Sequence, residues 1–485
     1  MSGNTSIKPL IVKESGSPLA ERMKLTLNYD ELTNCMRCGF CQPSCPTFKE
    51  TGLEAASPRG RIALMKAVVD GVMEPDDSFS RQMDLCLGCR ACEPVCPADV
   101  KYGQLLEQTR DAIEDHAEHS WWVKGLRSLT FRHMFPHQKR MRLLGSGLRL
   151  YQRSGAAKLV RSAGVMKLFP ETMRQMERIL PEASGDGVVD RLGTFYPAKG
   201  TAVAKVGLFR GCIMDVLFTE TNVNTAKLLA EAGFDVVIPD TQNCCGALHA
   251  HSGELDQARD LARRNIRAFR EAGVDYIISN AGGCGALLVE YHHLLHEDPV
   301  MAEEARWFAE RVKDITQVIL ERGHVPALTE RLREGRPSGD QTETVITYQD
   351  SCHLRNVMKA GNAPRNLMSR IPGVRFRELQ GADRCCGSAG IYNLVQPEMS
   401  MQVLDHKMEH VKETEAQYLL TSNPGCLLQM KLGIEREGLA GRMEAVHLVD
   451  FLYERMKPQP VGETEAALPG PGSTSAGQTA PRSEK

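Results

Sequence analysis

The chain has 485 residues, a formal net charge of −2 and 25% charged residues, an ordinary globular balance with room for roughly two to four domains. Such a balance argues against a polyanionic partner, so no nucleic acid is expected. No stretch approaches the roughly 18–20 apolar residues of a membrane-spanning helix, and the N-terminus lacks the apolar run of a secretory signal; the expected location is cytoplasmic, with any membrane contact peripheral, on the inner face of the cell membrane.

In chain order, residues 1–25 read as a flexible polar leader. A module over 26–115 follows, holding eight of the sixteen cysteines. In a long chain without an export signal, clustered thiols read as metal ligands or redox groups more readily than as disulfides. Asn34–Thr47 is NCMRCGFCQPSCPT and Leu85–Ala98 is LCLGCRACEPVCPA, two copies of C-x2-C-x2-C-x3-C-P. Three closely spaced thiolates wrap one 4Fe–4S cluster, and the fourth, before proline, ligates the neighbouring cluster. Cys35, Cys38, Cys41 and Cys96 are therefore expected around one cluster, and Cys86, Cys89, Cys92 and Cys45 around the other. Structural zinc is the competing reading, but zinc sites usually use two separated C-x2-C pairs. Between the motifs, Ser57 caps and Pro58 opens a predicted helix, with Ile62, Leu64, Met65, Val68, Val69 and Val72 near helical spacing. Arg59 and Arg61 at its start suit hydrogen bonds to cluster sulfurs or a partner, or equally a solvated first turn.

Residues 116–200 read as a basic helical connector. Its stretch 119–170 has eleven Lys/Arg and no Asp or Glu, together with Trp121, Trp122, Phe131, Phe135 and Tyr151. An anionic membrane surface and an acidic face of a partner subunit are both open readings. Gly145-Ser146-Gly147 lies in this helical region without the strand–turn–helix setting of a phosphate loop. With no dinucleotide fingerprint elsewhere, no flavin is expected on this chain.

From 201 an internal repeat appears, with copies over 201–335 and 336–456. Cys212, Cys244-Cys245-Gly246 and Cys284 are matched by Cys352, Cys385-Cys386-Gly387 and Cys426, at intervals of 32 and 39 residues against 33 and 40. Each lone cysteine follows a short apolar run (Val206–Phe209, Tyr276–Ser279, Val345–Tyr348, Tyr418–Thr421) that reads as a buried parallel strand. The thiols thus fall just beyond strand carboxyl ends, where open α/β sheets place ligands. These eight cysteines are candidates for a further iron–sulfur cluster, a thiol/disulfide relay, or a docking role without metal. His249, His251, His292, His293 and His353, with Asn243, Asp350 and Asp383, lie near them as candidate acid/base or ligand groups, against the commoner structural role of such residues. The end, 457–485, is rich in Pro, Gly, Ser and Thr and reads as a disordered tail. The fold class is α+β: an N-terminal helical two-cluster ferredoxin domain, a basic helical connector, and duplicated α/β CCG domains with parallel strands.

The runs CGFCQPSCPT, SPRGRIALMK, NCCGALH, GGCGALLVEY and CCGSAGIYNL give the chain, from about 26 to 456, a resemblance to the iron–sulfur subunits of glycolate oxidase. The resemblance implies electron transfer from a flavin-containing dehydrogenase subunit, which oxidises glycolate to glyoxylate, towards a membrane quinone-type acceptor. Subunits of glycerol-3-phosphate and lactate systems share the repeat, and a zinc-stabilised scaffold is the reading from another class. Heterodisulfide reductases end each repeat in Cys-x-x-Cys; here Leu287 and Gln429 stand at the second thiol position, leaving four thiols per repeat.

Overall fold

A computed structural model describes residues 16–169, 171–336 and 343–457. The first fifteen residues of the leader and the tail beyond Lys457 lie outside them. Part of the expected mobile leader is instead ordered. Pro18 opens a helix, Pro18–Thr26, whose Ala20 and Met23 are fully buried against the module core, with Leu19 packed beside them and Arg22 paired to Asp115 at 3.2 Å.

The module is helical, as expected. Ser57 accepts from the Gly60 N–H at 3.0 Å and caps helix Pro58–Val69. Ile62, Met65 and Val68 enter the core, whereas Val72 lies past the helix end and is 66% exposed. Helix Tyr102–His116 closes the module and buries Leu105, Leu106 and Ala112. The connector is a succession of short helices, including Trp121–Arg127 and Gln138–Arg153, and Gly145–Gly147 lies inside the latter. It is not helical throughout. Its end supplies β1 (Phe195–Tyr196), which pairs antiparallel with β3 (Phe234–Val237).

The repeat is exact in topology. In the first copy β2 (Ala204–Leu208), β3, β4 (Tyr276–Ser279) and β5 (Val312–Asp314) form the order β3-β2-β4-β5. In the second, β6 (Thr344–Tyr348), β7 (Val374–Phe376), β8 (Tyr418–Thr421) and β9 (Glu444–His447) form β7-β6-β8-β9. All pairings within these two sets are parallel. The chain reverses direction across each sheet between β2 and β4, and between β6 and β8, which creates a crevice at their carboxyl ends. The two copies share one core, in which Val206, Leu208 and Ile278 join Ile346, Tyr348 and Leu420. Asp450 of the second copy accepts from Thr221 (2.6 Å) and Asn224 (2.9 Å) of the first.

Candidate iron–sulfur sites

In both N-terminal motifs the residues flanking the second cysteine have positive φ: Arg37 (56°) and Gly39 (91°) around Cys38, Gly88 (63°) and Arg90 (57°) around Cys89. Arginine takes this conformation at a cost of about 1–2 kcal/mol. The alternation curls the loop into a concavity whose N–H groups suit an anion. After each fourth cysteine comes proline, and Pro46 begins helix Pro46–Thr51.

Cys35, Cys38, Cys41 and Cys96 line one cavity that opens to solvent, bordered also by Pro58, Ile62, Val100 and Tyr102. Cys92 also borders it. Cys45, Cys86, Cys89 and Cys92 are all buried and lie close enough to repel one another electrostatically. Burial pushes the Cys89 and Cys92 thiols up. At Cys86 burial has the same tendency, but Arg61, Arg110, the Tyr102 hydroxyl (3.4 Å) and the Gly88 amide (3.4 Å) outweigh it and hold the thiol below its usual range.

Arg61 tests whether this second site fits an anionic cluster. The side chain is fully buried. It donates to Gln82 O (2.7 Å) and Thr47 Oγ1 (3.1 Å), while Nη1 is buried without a hydrogen-bond partner. An isolated guanidinium in an apolar interior is costly unless an anion faces it. Four thiolates around 4Fe–4S carry that negative charge, so the residues fit the group. Arg59 sits beside Cys38 and Cys41, pairs with Glu54 at 2.6 Å and donates to Arg37 O at 2.9 Å. Neither arginine is a bare solvated charge.

Each repeat gathers its four thiols at the sheet crevice. Cys212 follows β2 and Cys284 follows β4, the two strands that border the reversal, and the Cys244-Cys245 turn comes over them. The Cys212 and Cys244 sulfurs are 3.4 Å apart, and thiol contacts continue from Cys244 to Cys245 and from Cys245 to Cys284. Hydrogen bonds from Cys244 and Cys284, with the Ala247 amide at 3.4 Å, hold Cys245 well below the usual thiol range. In the second copy Cys352, Cys385, Cys386 and Cys426 make the same chain of contacts, and Asn423 donates to the Cys426 sulfur at 3.5 Å. Glycine is required after each pair. Gly246 has φ of 90° and Gly387 of 92°, and a Cβ on Gly387 would lie 2.5 Å from Ser400 O. Buried Lys407, beside Cys385 and Cys386, donates to Arg384 O at 3.0 Å and to Gly381 O; burial draws its pKa down to about 8. Among the described residues, no three Cys, His, Asp or Glu side chains are set to hold a single metal ion.

The thiol groups lie next to one another in series. Cys89 packs with Cys352 and Cys385 of the second repeat. Around them, Asn356 donates to Cys89 O (2.9 Å), Tyr392 to Leu85 O (2.9 Å), and the His353 ring bonds Gly88 O (2.9 Å). Between the repeats, Gly282 N and Gly283 N donate to Ser422 O and Asn423 Oδ1, both at 3.0 Å, and Cys284 packs in the same core as Cys386 and Cys426. No local pattern advertised Tyr102, Arg110, Asn356 or Tyr392; they act across 16 to 307 residues of sequence.

The polar groups near the repeats have partners within the chain. His249 bonds Phe131 O at 2.9 Å between the Phe131 and Phe135 rings. His251 pairs with Glu107 at 2.9 Å, and His292 bonds Val289 O at 2.8 Å. His293 stacks on His296. Asp350 accepts from Arg355 and Arg365, each at 2.7 Å, and Asn243 donates to Thr241 O at 3.0 Å.

Comparison with known proteins agrees with these features. Residues 31–100 match the 4Fe-4S dicluster domain family, 206–289 and 346–431 the cysteine-rich domain family, and 122–180 the family described as the linker region of the glycolate oxidase iron–sulfur subunit. A probable glycolate oxidase iron–sulfur subunit of Bacillus subtilis is 52% identical over 90% of this chain and 96% of its own length. The glycolate oxidase iron–sulfur subunit of Escherichia coli is 29% identical over 88% and 94%. Lactate utilization protein A of Geobacillus kaustophilus is 33% identical over 52% of this chain and 99% of its own. The chain belongs to the glycolate oxidase iron–sulfur subunit family and is an electron-transfer component of an oxidoreductase complex of that type.

Proposed function

We propose that this chain carries electrons from a flavin-bearing partner subunit, which oxidises glycolate to glyoxylate, towards a quinone-type acceptor in the membrane. The observation that carries the reading is the serial placement of the thiol groups, from the Cys35 cavity through Cys89, Cys352 and Cys385 to Cys284. Cys35, Cys38, Cys41 and Cys96 would hold one 4Fe–4S cluster and Cys86, Cys89, Cys92 and Cys45 the other, with the eight repeat cysteines as ligands for further clusters. Clusters of this kind, when bound, accept and release single electrons. The chain's own residues bury most of the sulfurs from water, set Arg61 as a fixed cation beside the second site and the Lys407 amine beside Cys385 and Cys386, and hold the second motif against the second repeat through Asn356, His353 and Tyr392. Oxidation of glycolate releases two electrons and two protons, which a quinone takes up as quinol. The two electrons pass singly, so the partner must convert a two-electron oxidation into one-electron steps, as a flavin does. Substrate would bind that partner. The likeness to lactate utilization protein A favours lactate as the second substrate reading.

Anaerobic mixing of the co-purified complex with glycolate tests the proposal. The visible absorption of this chain's clusters should bleach within turnover, and lactate or glycerol 3-phosphate should bleach it far more slowly. Turnover of glycolate with this chain's absorption unchanged, or bleaching by lactate alone, would contradict it.

A further inference from the structure

Of the twenty-four large apolar side chains exposed among the described residues, twelve lie between Trp121 and Met173. Trp121 is 85% exposed and Trp122 58%, at the start of helix Trp121–Arg127, and Leu168 is 85% exposed near the end of the basic stretch. Along helix Gln138–Arg153, Leu143 and Leu150 are exposed two turns apart while Met141 and Gly145 are buried. This segment therefore presents far more apolar surface than its share of the chain. Scattered exposed leucines need no explanation, but a concentration of this kind marks an interaction surface.

The charges beside it separate into two classes. Of the seven arginines within 119–170, five pair with carboxylates of this chain: Arg127, Arg142, Arg149, Arg153 and Arg161. The four lysines, Lys124, Lys139, Lys158 and Lys167, are all exposed and form no ion pair with the described residues. With no Asp or Glu in the stretch, they leave it with uncompensated positive charge. Protein–protein interface cores are depleted in lysine, which holds its hydration tightly. A bilayer surface instead favours this combination: tryptophan at headgroup depth, leucine among the upper acyl chains, and lysine reaching anionic headgroups. No described helix is long and apolar enough to cross a membrane.

We propose that the connector is the membrane-contact surface of the protein, lying in the plane of an anionic lipid interface through Trp121, Trp122, Leu143, Leu150 and the four unpaired lysines. The proposal rests on the membrane-acceptor part of the reading above and gives it a location. It brings the chain to the lipid phase in which a quinone resides.

The test is sedimentation of the full-length holoprotein with vesicles of phosphatidylcholine alone or mixed with phosphatidylglycerol. Binding should require phosphatidylglycerol and fall as salt rises. It should drop by at least about tenfold on replacing the four lysines with glutamine, and also in Trp121→Ser/Trp122→Ser. Both variants should keep their cluster absorption and their reduction by glycolate through the partner. Failure of the wild-type protein to bind, or undiminished binding by the variants, would overturn the proposal. Loss of reduction in variants with intact cluster absorption would overturn it too, because the surface would then be the partner interface. If glycolate fails to reduce even the wild-type complex while vesicle binding holds, the substrate reading falls and the lipid surface stands.

Discussion

Cys96→Ser in the anaerobically prepared chain disturbs the cluster of the other motif, the one expected on Cys35, Cys38 and Cys41. Cys96 shares their cavity, which Cys86 and Cys89 do not line. A serine oxygen is a shorter and harder ligand than a thiolate. Even outer-shell changes around metal sites cost about 10–100-fold in affinity or activity, so loss of a direct ligand should cut electron throughput by at least as much. EPR of the reduced variant identifies the damaged cluster. Damage confined to the cluster of Cys86, Cys89 and Cys92 would show the crossed pairing to be wrong. Cys92, which also borders the cavity, is the residue on which that alternative would turn.

Arg61→Met should lower the midpoint potential of the second cluster by ~60 mV or more, a tenfold change in the equilibrium constant of a one-electron couple. The sign follows from charge. Reduction adds an electron to a site that already faces a buried guanidinium, and removing the cation destabilises the reduced state more than the oxidised one. Methionine fills comparable space without the charge, while Arg61→Lys keeps the charge but loses the fork that reaches both Gln82 O and Thr47 Oγ1. The lysine variant should therefore recover part of the potential. Redox titration followed by EPR reads the shift. An unchanged potential in Arg61→Met would make Arg61 only a packing residue.

Local chemistry was legible in the sequence, and contacts across the chain were not. The strand patterns gave Tyr276–Ser279 and Tyr418–Thr421 at the observed bounds, because each is a short apolar run with clear stops. The Ser57 cap was equally readable, since capping needs only four consecutive residues. The order of the sheets explains why the lone cysteines follow the strands they do, but the motif spacing alone could not say that the crevices of both copies lie near one another. The burial of Arg61 was invisible for the same reason: an arginine in a first helical turn is usually solvated, and only packing against Gln82 and Tyr102 makes this one an interior cation. The helix Pro18–Thr26 was missed because its apolar stripe, Leu19, Ala20 and Met23, is short. The connector's arginines and lysines looked alike in sequence, and the ion pairs separate five of the seven arginines in its basic stretch from the lysines.

Anaerobic purification followed by metal and acid-labile sulfide analysis tests the central claim most directly. Two clusters on the N-terminal motifs require about eight irons and eight sulfides per chain, and further clusters in the repeats raise both counts together. A preparation that is folded, loaded with zinc and free of iron and sulfide would contradict the account.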